Sequence, residues 1–205
     1  MSRVRVKICG LTRAGDVRDA VSAGADMLGF VFARSPRQLG SDQARALLAE
    51  VPTGVDRVGL FMDQPASVVR AIVEQLSLDL LQFHGGEDNE FCADFGLPFV
   101  KALPMGVSGE IDWTAYPQAR ALLLDSHRPG EPGGTGRRFN WSLARPVGRD
   151  IWLAGGLGCE NVSAAIKALR PQAVDVSSGV ERSPGIKDRQ LMFDFVAAVR
   201  AADSA

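Results

Sequence analysis

The feature that most constrains this chain is an alternation that runs from one end to the other. Eight short runs rich in Val, Ile, Leu and Phe lie near residues 3–9, 27–32, 56–62, 79–83, 98–102, 119–124, 150–154 and 172–176. Between them, segments near 14–23, 41–50, 65–75, 87–96, 160–169 and 188–201 carry helical character. Strands that alternate with helices predict βαβ units and a parallel sheet. Eight such units in 205 residues leave about 25 residues each, the small end of the range for a closed (β/α)8 barrel. An open doubly wound sheet shares the alternation, but its Gly-rich dinucleotide fingerprint does not follow the first strand. The expectation is therefore an α/β chain folded as a single (β/α)8 TIM barrel over 1–205. Asp42 after Ser41, and Ser67 in the QPAS turn, stand where first-turn or capping residues belong. The Gly- and Pro-rich segments 104–117 and 126–146 predict short helices within loops.

Side chains alternate across each strand, so the sequence also sorts them by face. Val4, Val6 and Ile8 oppose Arg5, Lys7 and Cys9; Leu81 and Phe83 oppose Gln82 and His84; Leu122 and Leu124 oppose Leu123 and Asp125; Val174 and Val176 oppose Asp175 and Ser177. With the apolar face against the helices, the expected inward set is Lys7, Cys9, Arg57, Gln82, His84, Lys101, Asp125, Asp175 and Ser177. Buried charges are costly unless paired or wetted. A ring of them near the C-terminal strand ends thus predicts an active-site floor, where such barrels carry catalysis. The plainer alternative is a solvated face of an open sheet.

Composition removes several function classes. A net charge of -1 gives no basic footprint for nucleic acid. Arg3, Arg5 and Lys7 alternate with Val4, Val6 and Ile8, a strand pattern rather than the continuous apolar run of a signal peptide. No apolar stretch approaches a bilayer-spanning length, so neither nucleic acid nor membrane is an expected partner. Cys9, Cys92 and Cys159 are odd in number and widely spaced, which predicts neither a disulfide framework nor a zinc site and places the chain in the reducing cytoplasm.

Two Gly-rich turns follow the seventh and eighth strands, Ala154-Gly155-Gly156-Leu157 and Ser177-Ser178-Gly179-Val180. Glycine lets backbone N–H groups approach an anion, and these loops are where (β/α)8 barrels hold phosphate. Each turn alone is weak evidence; their paired placement predicts a phosphate site at Gly155, Gly156, Ser178 and Gly179.

The motifs together resemble the phosphoribosylanthranilate isomerase family of tryptophan biosynthesis. The match includes VKICGLT at 6–12, AGADMLGFVF at 23–32, SPR at 35–37, RVGLF at 57–61 and LLQFHG at 80–85. It continues through LLLDS at 122–126, GGTG at 133–136, AGGL at 154–157, ENV at 160–162, VDVSSGVE at 174–181, and PG and KD near 184–188. The resemblance implies an Amadori rearrangement of N-(5-phosphoribosyl)anthranilate to 1-(2-carboxyphenylamino)-1-deoxyribulose 5-phosphate, with no cofactor and no metal. An acid protonates the furanose ring oxygen to open a Schiff base, and a base removes the C2′ proton. By resemblance Cys9 is the base, Asp125 the acid, and Arg37 the partner of the anthranilate carboxylate. Asp175 corresponds to a residue that orients substrate hydroxyls or the base. Lys7 and His84 complete the expected substrate-binding set. Lys7 is also the cation expected to lower the Cys9 thiol, unless it pairs with Asp175 instead, and a hydrogen-bonded structural role suits His84 better than proton transfer. Pro129 to Gly136, too rich in Gly and Pro for regular structure, reads either as a cover that folds over the substrate or as a mobile loop. The expected assembly is a monomer or a homodimer.

The sequence departs from the family pattern at Ser126 and His127, Asn140, Cys159 and Ile186, none at a matched catalytic position. Competing readings are another phosphosugar isomerase or a non-catalytic phosphate-binding barrel. A ribulose-phosphate epimerase needs a His/Asp metal cluster, and with His127 in a loop the sequence offers no way to complete one. A synthase acting on an indole-glycerol phosphate needs an inward Lys and Glu pair, and no inward strand-end Glu stands out. A dual-specificity isomerase of histidine synthesis needs Asp where Cys9 stands. A purely binding barrel has no need of Cys9 and Asp125 together.

Overall fold

A computed structural model describes residues 3–105, 112–127, 140–141, 144 and 148–203. The chain opens with β1 (Arg5–Cys9), α1 (Ala14–Ala23), β2 (Met27–Val31), α2 (Ser41–Leu48), β3 (Asp56–Phe61) and α3 (Ala66–Gln75). It continues through β4 (Leu80–Phe83), α4 (Asn89–Ala93), β5 (Phe99–Pro104), β6 (Ala121–Asp125), β7 (Ile151–Leu153), α5 (Val162–Leu169) and β8 (Ala173–Val176). All neighbouring pairs among these strands are parallel, and β1 bonds to β8 as well as to β2, so the sheet closes on itself. The expected eight-stranded barrel is what forms. After β8 come a 3-10 turn at Ser178–Val180, a small hairpin of β9 (Glu181–Ser183) and β10 (Ile186–Lys187), and α6 (Arg189–Asp203).

Two apolar layers hold the barrel. Outside the sheet, Ile8, Phe30, Phe61, Phe83, Leu124 and Val174 pack against helix residues such as Val17, Val69 and Phe195. Each side chain of this size taken fully out of water contributes about 1.5–3 kcal/mol. Inside, Met27, Val58, Leu80, Val100, Leu123, Trp152 and Ala173 form a separate buried cluster. The barrel is therefore a filled core, and its polar residues gather at the C-terminal end of the strands.

This filling corrects the expected inward set. In β5, Val100 and Ala102 belong to the interior cluster, while Phe99 and Leu103 belong to the outer layer. Lys101 therefore points outward, where its Nζ donates to Glu87 Oε2 at 2.8 Å and to the Gly85 carbonyl at 2.5 Å. In β3, Val58 faces inward, and Arg57, one residue earlier, sits on the outer face with its guanidinium on the Val51 carbonyl. An apolar residue fills the barrel as readily as it meets a helix, so polarity marks the inner face only near the rim.

The helices start and stop close to the expected places, α4 excepted. That helix begins after Asp88, whose carboxylate accepts from the Phe91 N–H at 2.8 Å, an N-cap bond. Glu87, expected inside the helix, is instead buried, accepting from Asp63 N and Gly85 N while it pairs with Lys101. Described residues 112–120 form turns. Most of 126–146, including the Pro129 to Gly136 stretch and the GGTG motif, lies outside the described residues.

Candidate active site

A cavity open to solvent occupies the C-terminal mouth of the barrel. Its wall includes Cys9 from β1, Asp125 from β6, His84 just after β4, and Asp175 from β8. Arg37, Gly155, Gly156, Ser178 and Gly179 line the same cavity. The structure thus gathers nine of the ten expected site residues on one pocket. The tenth, Lys7, is fully buried in register with Asp175 and bonds to it from within the barrel.

The two Gly-rich turns lie against each other. A β-carbon on Gly179 would stand 1.9 Å from the Leu157 carbonyl oxygen, so only glycine allows this approach. Gly155 holds a φ of 82°, and its missing β-carbon leaves room for the Ser126 backbone. Asn161 braces the first turn by donating to the Gly156 carbonyl at 2.9 Å and accepting from Gly158 N at 3.0 Å.

On the β1–β8 side, charge is tightly paired. Lys7 Nζ donates to Asp175 Oδ2 at 2.9 Å, and this pairing leaves Asp175 Oδ1 buried without a hydrogen-bond partner among the described residues. Burial opposes the Lys7 charge, but the Asp175 carboxylate outweighs it and raises the ammonium above its usual value. Burial pushes the Cys9 thiol up, and the Lys7 charge works against that rise without cancelling it. Of the two alternatives, Lys7 pairs with Asp175; its charge opposes the rise of the Cys9 thiol but does not bring that thiol below its ordinary value. Arg37 grips Glu181 with two bonds, Nε at 2.8 Å and Nη2 at 2.7 Å.

On the β4–β6 side, Asp125 sits between two imidazoles. His84 Nε2 approaches its Oδ2 to 3.3 Å and His127 Nδ1 to 3.7 Å, and the two rings stack with centroids 4.2 Å apart. Burial pushes the carboxyl up, but His127 and His84 outweigh it and hold Asp125 well below the usual carboxylate range. His127 is itself 3% exposed. The sequence reading left His127 in a loop, outside any cluster; two residues past Asp125, it lies on the same side of the chain and meets the acid.

The sequence matches the family profile described as N-(5'phosphoribosyl)anthranilate (PRA) isomerase over residues 6–198. The chain belongs to the phosphoribosylanthranilate isomerase family. A relative from Acidithiobacillus ferrooxidans, named N-(5'-phosphoribosyl)anthranilate isomerase, is 49% identical over 98% of this chain and 99% of its own. The crystal structure of phosphoribosyl anthranilate isomerase from Thermus thermophilus superposes with a TM-score of 0.86 at 39% identity, covering 97% of this chain and 99% of that one. Another solved isomerase, in complex with reduced 1-(o-carboxyphenylamino)-1-deoxyribulose 5-phosphate, superposes at 0.83 with 35% identity and the same coverage.

Two residues of this isomerase-family site carried no role in the sequence reading. Glu181 ends the VDVSSGVE motif, and Lys187 lies in the KD pair. Lys187 Nζ donates to the Cys9 carbonyl at 2.5 Å, to the Ser177 carbonyl at 3.1 Å and to Glu181 Oε1 at 2.8 Å. Burial pushes Glu181 up, but Arg37 and Lys187 outweigh it and hold the carboxyl below its ordinary value. The signal was present in the motif; what the sequence lacked was the hairpin that folds Lys187 back to the C-terminal end of β1.

Proposed function

We propose that Cys9 and Asp125 carry the family's aldose–ketose isomerisation in this chain, converting N-(5-phosphoribosyl)anthranilate to 1-(2-carboxyphenylamino)-1-deoxyribulose 5-phosphate in tryptophan biosynthesis. The observation that carries the reading is one cavity lined by a thiol on β1, a carboxyl on β6 and both Gly-rich turns. Those strands are separated around the barrel by β7 and β8, so the two groups reach one small ligand from different sides.

The phosphate rests on Gly155, Gly156, Ser178 and Gly179, which fixes the sugar beneath the two reacting groups. Arg37 keeps its fork on Glu181 and offers its remaining N–H groups to the anthranilate carboxylate. Asp175 Oδ1, buried without a partner among the described residues, accepts from a sugar hydroxyl. Asp125 delivers a proton to the ring oxygen and the furanose opens to the Schiff base. The imidazoles hold Asp125 ionised before substrate arrives. The carboxylate and phosphate of the incoming ligand oppose a further anion in the pocket and favour the protonated acid. Burial keeps Cys9 mainly a thiol, so the base is the minority thiolate that the Lys7 charge favours; it takes the C2′ proton, and the enolamine tautomerises to the ketone. His84 positions Asp125.

A cytoplasmic setting suits this chemistry, because Cys9 acts only when reduced. The three cysteines are free. No described helix is long and apolar enough to cross a membrane.

The test is a fluorescence time course. Phosphoribosylanthranilate is generated in situ from anthranilate and phosphoribosyl pyrophosphate, and loss of its fluorescence is followed after the protein is added. Catalytic decay supports the reading. A flat trace from folded protein rejects it and favours a binding barrel.

A further inference from the structure

His84, Asp125 and His127 present three ligand atoms that lie within 4.8 Å of one another. Two neutral imidazoles and a carboxylate are the donor set of many zinc sites. Zinc–nitrogen and zinc–oxygen bonds near 2.0–2.1 Å place tetrahedral ligand atoms about 3.3 Å apart. The approaches of 3.3 Å and 3.7 Å to Asp125 Oδ2 fall near that spacing, and both are poor hydrogen bonds. His84 Nε2 and His127 Nδ1 are buried and have no hydrogen-bond partner among the described residues. Two unpartnered ring nitrogens aimed at one carboxylate oxygen form a concave donor set.

The surroundings also orient the ligands. Gln82 approaches His84 Nδ1 at 3.4 Å through its amide nitrogen, while its Oε1 is buried without a partner among the described residues. Turning that amide over presents Oε1 to Nδ1–H, satisfies both groups and leaves Nε2 as the atom whose proton an incoming metal ion displaces. Ser126 Oγ donates to Asp125 Oδ1 at 3.4 Å, leaving Oδ2 to the imidazoles. The stacked rings hold His127 against His84.

We propose that His84, Asp125 and His127 form a three-ligand site for one divalent transition-metal ion of the zinc type, which arrests isomerisation by occupying the acid. The fourth position faces the cavity and takes water or a substrate oxygen. The ion is an inhibitor, competing with substrate for Asp125.

Cobalt(II) titrated into the chelator-treated full chain tests this without reference to turnover, so the outcome stands apart from the isomerase reading. The expected result is one ion per chain, with visible d–d absorption of four-coordinate nitrogen and oxygen ligation and no near-ultraviolet thiolate band. His127→Phe, which keeps the stacked ring, is expected to weaken binding roughly tenfold or more, and His127→Asn to do the same should the larger ring misfold the loop. A product analogue is expected to displace the ion, and zinc to inhibit turnover at the same stoichiometry. No binding, a thiolate band that assigns the ion to a cysteine, or unchanged affinity in a folded His127 variant would each overturn the proposal.

Discussion

The two sides of the pocket are equally buried and built on opposite principles. Around β1 and β8 the buried charges of the described residues are closely paired, with only Asp175 Oδ1 left over for substrate: Lys7 on Asp175 at 2.9 Å, Lys187 on Glu181 at 2.8 Å, and Arg37 on Glu181 through two bonds. Around β4 and β6, Asp125 meets His84 and His127 only at 3.3 Å and 3.7 Å. A satisfied network is rigid, and loss of one member leaves a buried charge exposed to a low dielectric. An incompletely bonded cluster leaves room for a proton, a substrate atom or a metal. The difference matches the proposed division of labour: the base is held in place, and the acid must change its protonation during the cycle.

The largest expected effect breaks both sides at their reacting atoms. Cys9→Ser and Asp125→Asn are each expected to lower kcat by about 10²–10⁴-fold, with binding of a product analogue largely retained. Steady-state fluorescence and a binding titration on the same preparations check this, and near-normal turnover in either variant removes that residue from the mechanism.

Next comes the rigid side alone. Lys7→Met leaves Asp175 buried without its cation and is expected to cost about 3–5 kcal/mol of stability, read from the urea midpoint. A loss below about 1 kcal/mol would mean that water already reaches the pair. The same variant withdraws the cation that opposes burial at Cys9, so the alkaline rise in activity should move to higher pH.

Arg37→Ala sharpens the comparison at the pocket rim. Removing a charge-assisted hydrogen-bonding group is expected to weaken ligand binding by about 1.5–3 kcal/mol, roughly tenfold to a hundredfold, with kcat changed less. Unchanged affinity would leave Arg37 as a structural partner of Glu181 alone.

The smallest effect is on acid stability. Glu181 is held below its ordinary value of 4.5, so its contribution is present above that pH and is lost as pH falls through the lower folded value. Glu181→Gln should therefore flatten the fall in urea midpoint between about pH 5 and pH 3. An unchanged slope would show that Glu181 titrates normally in the folded chain.

The barrel was legible because period-two strands and helical segments alternate eight times, and the rim because Cys9, His84, Asp125 and Asp175 sit at strand ends on the polar face. Legibility failed where polarity stopped reporting direction. Lys101 looked inward and pairs with Glu87 outside the barrel, while its neighbour Val100 fills it. It failed again where position depends on the path of a loop. Lys187 reaches the Cys9 carbonyl from 178 residues away, through turns that no periodicity encodes, whereas His127, two residues past Asp125, needed only the strand alternation carried one step beyond the strand end.

The central claim is that proton removal belongs to the β1 side and proton donation to the β6 side. Substrate carrying deuterium at C2′, followed through a single turnover in Cys9→Ser and in Asp125→Asn, tests it most directly. The account predicts a primary isotope effect in Cys9→Ser, where breaking the C2′ bond becomes slow, and almost none in Asp125→Asn, where ring opening becomes slow. Equal effects in the two variants, or a larger one in Asp125→Asn, would contradict it.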